Sequence, residues 1–196
     1  MNKKLIIGIV AAVVALAVII VAIIGITGTF GKNEKDNEGS SSPVSSSVTE
    51  SKGDNDKVVS DYTVNDKGNT VVEAEKPDSN TIIEVPIMLS DNKNGFLAGQ
   101  FAFTYDANAL TYLDYAKGNL FDEYEVVSEK GKVSCIISSS EIKDVKGDGK
   151  LIVLKFKAKD SAKAGDYEVK LASSAMGTSD EKLVNPKVSG AVITIK

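Results

Sequence analysis

The chain has 196 residues and a formal net charge of −4, and it contains no His, no Trp and no Arg. It therefore lacks the commonest general base and zinc ligand, as well as the side chain that grips phosphate at two points. No basic cluster offsets the acidic balance, so nucleic acid is excluded as an expected partner. We expect a protein that is not an enzyme and that has no cofactor and no metal site.

The chain begins with a candidate membrane anchor. After Lys3 and Lys4, residues 5–26 form a run of 22 residues without a charge, an amide or a hydroxyl. As a helix this run would be about 33 Å long, enough to cross the hydrocarbon core of a bilayer. A cleaved signal peptide is the alternative, but its apolar region is usually only about 7–15 residues long. We expect residues 1–30 to be a single-pass signal anchor, with the N-terminus in the cytoplasm and the C-terminal domain outside the cell membrane.

Residues 31–67 are expected to be a disordered linker. Residues 31–57 contain seven Ser and many charges, and their only aliphatic side chains are Val44 and Val48. Such a segment buries too little apolar surface to offset the entropy of ordering. The boundary is soft, because residues 58–70 carry scattered valines and are either an additional strand or more of the linker.

Residues 68–196 are predicted to fold as an all-β sandwich. Turn-forming residues separate nine short segments of β character, and no window has a long helical period. The predicted strands are Val71–Ala74, Thr81–Leu89, Gly95–Tyr105, Leu110–Tyr115, Tyr124–Ser128, Lys132–Ser138, Gly149–Ala158, Gly165–Ala172 and Ser189–Lys196. This pattern is typical of a nine-stranded sandwich with jelly-roll or immunoglobulin-like layers. Pro86 places its segment at a sheet edge, at a bulge or at a break between two pairings.

A single hydrophobic core is expected, with the apolar run LIVLKF as a central strand covered on both faces. The lone Cys135 lies in another apolar run and is expected to be a small buried side chain. The predicted core residues are Phe101, Phe103, Tyr105, Leu110, Leu113, Leu151, Val153, Leu154, Phe156, Tyr167, Val169, Leu171, Val192 and Ile195.

The segment 95–106 gives the first indication of function. Its apolar residues and glycine alternate with a second set, Ala98, Gln100, Ala102 and Thr104. Period-two alternation predicts a strand with one face in the core and the other directed outward. The outward face would be small and uncharged, whereas a strand facing solvent usually carries charged side chains.

Carboxylate chemistry, calcium binding and polysaccharide binding have weaker support in the sequence. The acidic residues at 122, 123 and 125 and at 144 and 148 are expected to be solvated loop charges. Neither residues 144–149 nor residues 91–95 match the spacing of a calcium-binding loop, and both are expected to be hairpin turns. A polysaccharide surface would need exposed rings, for which Tyr112, Tyr115 and Tyr124 are the candidates.

The stretch VPIMLSDNKNGFLAGQFAFTYDANALTYLDYAKGNLF resembles the opening of a cohesin domain. The segment GDGKLIVLKFKAKDSAKAGDYEVKL and the final VSGAVITIK are similar to later strands of that family, so the resemblance covers residues 68–196. It implies a nine-stranded jelly-roll sandwich whose flat sheet face binds a dockerin, the module that attaches polysaccharide-degrading enzymes to a cellulosome. The alternatives are a carbohydrate-binding module of the same superfamily and a purely structural surface module.

The resemblance also implies which side chains contact the partner. On the strand at 95–105 they would be Ala98, Gln100, Ala102 and Thr104. On the strand at 132–140 the family alignment favours Cys135, Ile137 and Ser139, whereas polarity favours the alternate set Ser134, Ile136 and Ser138. The chain departs from the family in having Ala98 and Gln100 where Asn and Asp are frequent, which points to a partner unlike the usual dockerin.

Overall fold

The structure is a computed structural model that describes residues 57–75 and 81–196. The predicted anchor at residues 5–26 and most of the predicted linker lie outside these ranges. Within them every regular element is a strand, and no helix is long and apolar enough to cross a membrane.

The described ranges contain thirteen strands, and each of the nine predicted segments overlaps one of them. The predicted number of nine is too low because four strands of two or three residues were not expected. Two of these, Lys57–Val59 and Tyr62–Val64, lie in the segment 58–70 or next to it, where the sequence left a strand and a linker as alternatives. The strands are β1 (Lys57–Val59), β2 (Tyr62–Val64), β3 (Thr70–Ala74), β4 (Thr81–Ser90), β5 (Ala98–Thr104), β6 (Leu110–Lys117), β7 (Glu123–Glu129), β8 (Lys132–Ser138), β9 (Gly149–Ala158), β10 (Gly165–Gly177), β11 (Leu183–Val184), β12 (Lys187–Val188) and β13 (Ala191–Ile195).

The strands form two sheets around one hydrophobic core. The first sheet has the order β1-β4-β9-β6, with β12 also paired to β4. The second has the order β2-β3-β13-β10-β5-β8-β7, with β11 also paired to β10. The β1–β4 and β3–β13 pairs are parallel, whereas the other pairs are antiparallel. An all-β sandwich is therefore confirmed for this part of the chain.

Most of the predicted core is correct. Buried members are Phe101, Phe103, Leu110, Leu151, Leu154, Phe156, Val169 and Ile195. Three more pack against the buried cluster while remaining partly exposed: Tyr105, Tyr167 and Leu171. Rings from the two layers meet directly, since Tyr105, which follows β5, packs edge-on against Phe156 of β9 at a centroid distance of 5.1 Å. Tyr112, which is opposite Phe156 in the first sheet, also packs edge-on against it, at 5.8 Å.

Three core predictions are wrong. Leu113 is 40% exposed because β6 has a register shift between Tyr112 and Asp114, which leaves Leu113 as the extra residue of a bulge. Val153 and Val192 are only half-buried, since each alternates with buried neighbours on its strand. Strand β9 is central, but it is not covered on both faces along its length.

Pro86 lies at a break between two pairings, one of the outcomes that the sequence allowed. On the side of β4 away from β9, β1 pairs only with residues 81–83 and β12 only with residues 89–90. The Pro86 carbonyl oxygen accepts a hydrogen bond of 2.7 Å from the buried Thr70 hydroxyl. A residue without an N–H is tolerated here because no neighbouring strand pairs with this side of β4 at that point.

The segments 91–97 and 139–148 are not hairpin turns as predicted, because each joins one sheet to the other. They bind each other through paired backbone hydrogen bonds between Phe96 and Val145, with N–O distances of 3.3 and 2.9 Å. The buried Asn92 reinforces this contact, since its Nδ2 donates to the Val145 oxygen at 2.9 Å. The two crossovers thus fix the end of the second sheet at which β5 begins.

Candidate protein-docking face

Strand β5 has the alternation that the sequence predicts. Its inward residues Phe101 and Phe103 are completely buried. The alternate residues Ala98, Gln100 and Thr104 are half-exposed, and Ala102 is 8% exposed because the neighbouring strands cover its small side chain. These four residues therefore lie on the outer face of the second sheet. Whether they contact a partner stays a prediction.

Strand β8 shows which of its two sets faces outward. Cys135 pairs with Phe101 and is 2% exposed, and Ile137 pairs with Gly99 and is completely buried. Opposite residues of an antiparallel pair share a face, so both side chains point into the core. Burial raises the pKa of the Cys135 thiol to about 12. The prediction that Cys135 and Ile137 contact a partner is wrong.

The alternate residues of β8 complete the outer face instead. Ser134, Ile136 and Ser138 are half-exposed and pair with Ala102, Gln100 and Ala98 of β5 in that order. Ser139 follows the end of β8, and its N–H donates to the Leu97 oxygen at 3.1 Å. Polarity therefore predicted the face of this strand correctly, whereas the family alignment did not.

Strand β10 contributes a third row. Its residues Ser173, Ala175 and Gly177 are opposite Ala102, Gln100 and Ala98. We call the outer surface of β10, β5 and β8 between two bordering lysines, Lys132 and Lys170, which are both opposite Thr104, the smooth face. Its side chains are small and uncharged except for the longer Gln100 and Ile136. It comprises Ala98, Gln100, Ala102, Thr104, Ser134, Ile136, Ser138, Ser173, Ala175 and Gly177.

Charged and apolar side chains border the smooth face. On β7, Glu123 and Glu125 are exposed, and Val127 is 63% exposed opposite Ser134. Beyond β10, Leu183 pairs with Gly177 and is 73% exposed. The sequence analysis missed Leu183, because its place beside this face depends on the pairing of β11 with β10 and not on any local pattern.

Hydrogen bonds hold the loops at the Ala98 end of the smooth face. The Asp122 carboxylate accepts from the Ser140 N–H at 2.8 Å and from the Ser140 hydroxyl, and these hydrogen bonds lower the pKa of Asp122. The Asp144 carboxylate accepts from the Ser179 N–H at 2.6 Å. Ile142, which is 45% exposed, lies in the loop that both carboxylates hold.

The dimensions of this surface indicate that its border is part of any interface. From β11 to β7 there are four interstrand spacings, about 19 Å, and β5 extends about 20 Å from Ala98 to Thr104. The resulting area of about 400 Å² is half of the roughly 800 Å² that each partner contributes to a standard interface. Contacts with the bordering loops are needed to supply the remainder.

The three candidate tyrosines do not form an exposed platform. Tyr112, Tyr115 and Tyr124 are all partly buried against the core. Tyr124 stacks on Tyr115 at 6.0 Å, and its hydroxyl donates to the Leu151 oxygen at 2.9 Å and accepts from the Gly118 N–H at 3.0 Å. Burial raises the pKa of both Tyr112 and Tyr124. The acidic clusters likewise form no metal centre, since no group of three or more potential ligands comes together in the part of the chain that the structure describes.

Comparison with known families and structures gives a consistent result. The family model described as the cohesin domain matches residues 68–195. No curated protein matches the chain.

Several solved structures share the fold. A cohesin in a type I cohesin–dockerin complex from Clostridium thermocellum is 17% identical, with a TM-score of 0.56 over 63% of this chain and 93% of that chain. The sixth cohesin of scaffoldin B from Acetivibrio cellulolyticus, in complex with a mutant Cel5 dockerin, is 23% identical, with a TM-score of 0.56 over 65% of this chain and 98% of that one. A non-cellulosomal cohesin from Archaeoglobus fulgidus is 17% identical, with a TM-score of 0.54 over 72% and 92% of the two chains.

Proposed function

Because this chain belongs to the cohesin family, we propose that it is a docking module that binds a dockerin-type partner through the smooth face. In this proposal the partner is carried by a polysaccharide-degrading enzyme, and docking holds that enzyme at the cell surface. Two of the structures described above are complexes of a cohesin with a dockerin, which supports this class of partner.

The observation that carries the proposal is the absence of charge from the ten residues of the smooth face. Removing a charged side chain from water is costly unless it finds a partner, whereas Ala and Gly lose little on desolvation and a Ser hydroxyl is satisfied by a hydrogen bond to the partner. Small side chains also allow close approach of a second protein. The backbone of the surface is held in a sheet that is paired on both sides, so little ordering is needed on binding.

The docking proposal is tested with the substitution Ala102→Lys in the full-length chain, against a panel of calcium-loaded dockerin modules. Ala102 lies at the centre of the smooth face, and a lysine there would project a charge into the interface. We expect binding to be lost while the circular dichroism spectrum is unchanged. The matched control is Val153→Lys, which places the same side chain on the outer face of the other sheet and should leave binding intact. Unchanged affinity of the Ala102→Lys variant would show that the partner binds elsewhere.

The membrane anchor is a separate part of the proposal. The apolar run at residues 5–26 and the preceding Lys3 and Lys4 support a helix that crosses the membrane with the folded domain outside the cell. Mass spectrometry of the protein purified from membranes should find an N-terminus before residue 5. A mature N-terminus beyond Thr29 would instead identify the run as a cleaved signal peptide.

A further inference from the structure

A groove of about 570 Å³ lies at the Thr104 end of the smooth face. It forms where β10 changes its neighbours, since residues 165–169 pair with β13 and residues 170–177 pair with β5. The turn between β2 and β3 closes one side of the groove, and residues 104–106 close the other. Its volume is within the range of about 300–1,000 Å³ that is typical of small-molecule sites.

Two asparagines of the β2–β3 turn supply fixed donors. The Asn65 Oδ1 accepts from the N–H groups of Lys67 and Asn69 at 3.0 and 3.1 Å. The Asn69 Oδ1 accepts from the Gly190 N–H at 3.0 Å. These hydrogen bonds orient both amides, and neither Nδ2 donates a hydrogen bond within the residues that the structure describes. Both residues line the groove, so each offers an oriented N–H donor.

Two aspartates that line the groove supply fixed acceptors in the same way. The Asp106 Oδ1 accepts from the Asn108 N–H at 2.8 Å, and the Asp166 Oδ1 accepts from the Thr194 hydroxyl at 2.7 Å. The second oxygen of each carboxylate makes no hydrogen bond in the described part of the chain. Intramolecular hydrogen bonds therefore orient both the donors and the acceptors that line the groove.

The charges of the groove are nearly balanced. Lys170 pairs with Glu168 at 2.7 Å and lowers the pKa of that carboxyl group, and Lys67 acts on it in the same direction. Neither an anion nor a cation would find a surface of opposite sign here. The half-buried Val192 adds an apolar patch to the lining.

We propose that this groove is a carbohydrate-binding site that takes a short neutral saccharide. A sugar hydroxyl both donates and accepts, so it satisfies an amide N–H and a carboxylate oxygen at once. The C–H face of a sugar ring would cover Val192. This site is separate from the three tyrosines considered above, and it does not depend on the binding of a dockerin.

The test uses the full-length chain in a detergent without a sugar headgroup, applied to an array of neutral cell-wall oligosaccharides from cellulose, xylan, mannan and glucomannan. We expect at least one oligosaccharide to be retained. The double variant Asn65→Asp and Asn69→Asp keeps the Oδ1 acceptors that hold the turn, replaces both Nδ2 donors with acceptor oxygens and adds two negative charges, for which a neutral saccharide has no counter-charge. Two lost hydrogen bonds should weaken binding about tenfold or more.

A second variant, Val192→Arg, fills the groove from an outward position and should also abolish binding. Ala102→Lys serves as the control, since it changes the smooth face and not the groove. Retention of no oligosaccharide by the wild type would overturn the proposal, as would undiminished binding by both groove variants. Loss of sugar binding in Ala102→Lys would overturn it too, by placing the sugar on the smooth face, while loss of dockerin binding alone in that variant leaves the proposal standing.

Discussion

The outer faces of the two sheets differ in a way that separates a surface facing solvent from a surface suited to a partner. On the first sheet, Glu84 of β4 and Lys155 of β9 are opposite each other and form an ion pair of 3.4 Å. Asp114 of β6 is opposite Lys155 on its other side. On the second sheet, the rows of Ala98, Gln100 and Ala102 have no charge across three strands, and the first charges are the lysines opposite Thr104. One fold thus presents two chemically different surfaces, because strand alternation lets each outward position vary without disturbing the core.

The largest change in stability is expected when a buried residue of β8 is replaced by alanine, and the outward residue beside it provides the comparison. Ile137→Ala removes a completely buried side chain and should lower the free energy of unfolding by about 2–5 kcal/mol. Ile136→Ala, one residue earlier, should cost much less stability but should weaken partner binding. Chemical denaturation and a binding titration on both variants measure the contrast. Equal losses of stability would mean that the assigned faces of β8 are wrong.

A substitution at the border of the smooth face is expected to have a smaller effect, and on partner binding instead of stability. Leu183→Ala should weaken partner binding about tenfold, because an exposed leucine beside Gly177 is suited to insertion into an apolar pocket. Stability should hardly change. Leu113→Ala is the control, since it removes another exposed leucine, on the first sheet and therefore away from the smooth face. If both variants bind as well as the wild type, the interface does not extend beyond β10.

Asp122→Asn is expected to reduce partner affinity by a few fold, because it weakens the hydrogen bonds that hold Ser140. Since these bonds lower the pKa of Asp122, they are fully present above the ordinary carboxyl pKa and are lost as the pH falls through the lowered value. Partner affinity measured at decreasing pH should therefore fall more steeply in the wild type than in Asp122→Asn. Parallel pH profiles would show that this loop does not contribute to docking.

The smallest change in stability is expected for a substitution on the outer face of the first sheet. Glu84→Gln breaks an ion pair whose side chains are both 28% exposed, and it should lower stability by less than about 1 kcal/mol. Partner binding should be unaffected. A measurable loss of affinity would contradict the division of roles between the two outer faces.

The sequence predicted those features of the fold that depend on local pattern. The outward set on β5 was predicted because Phe101 and Phe103 alternate with small residues. On β8 the neighbouring Ile136 and Ile137 are identical, so hydrophobicity does not indicate which of them is buried. The serines at 134 and 138 favour the correct face, and the pairing of β8 with β5, which is a long-range contact, settles it.

The other differences between the predicted and the observed structure also arise from contacts between strands far apart in the sequence. The bulge that exposes Leu113 arises from the register between β6 and β9. The crossovers at 91–97 and 139–148 have the Gly, Asn and Asp residues of tight turns, and these residues do not show which sheet the chain enters next. The contribution of β10 to the smooth face and the place of Leu183 likewise depend on pairings of strands far apart in the sequence.

The interrupted side of β4 has a consequence for self-association. An open strand edge is a template on which a second chain can add a strand, which leads to aggregation. Here β1 and β12 cover the two ends, the Thr70 hydroxyl occupies the Pro86 oxygen, and Ser189 exchanges hydrogen bonds of 2.9 and 2.8 Å with Met88. Proline adds no unpaired donor to the gap. This side of β4 therefore offers a neighbouring copy no long open edge on which to add a strand.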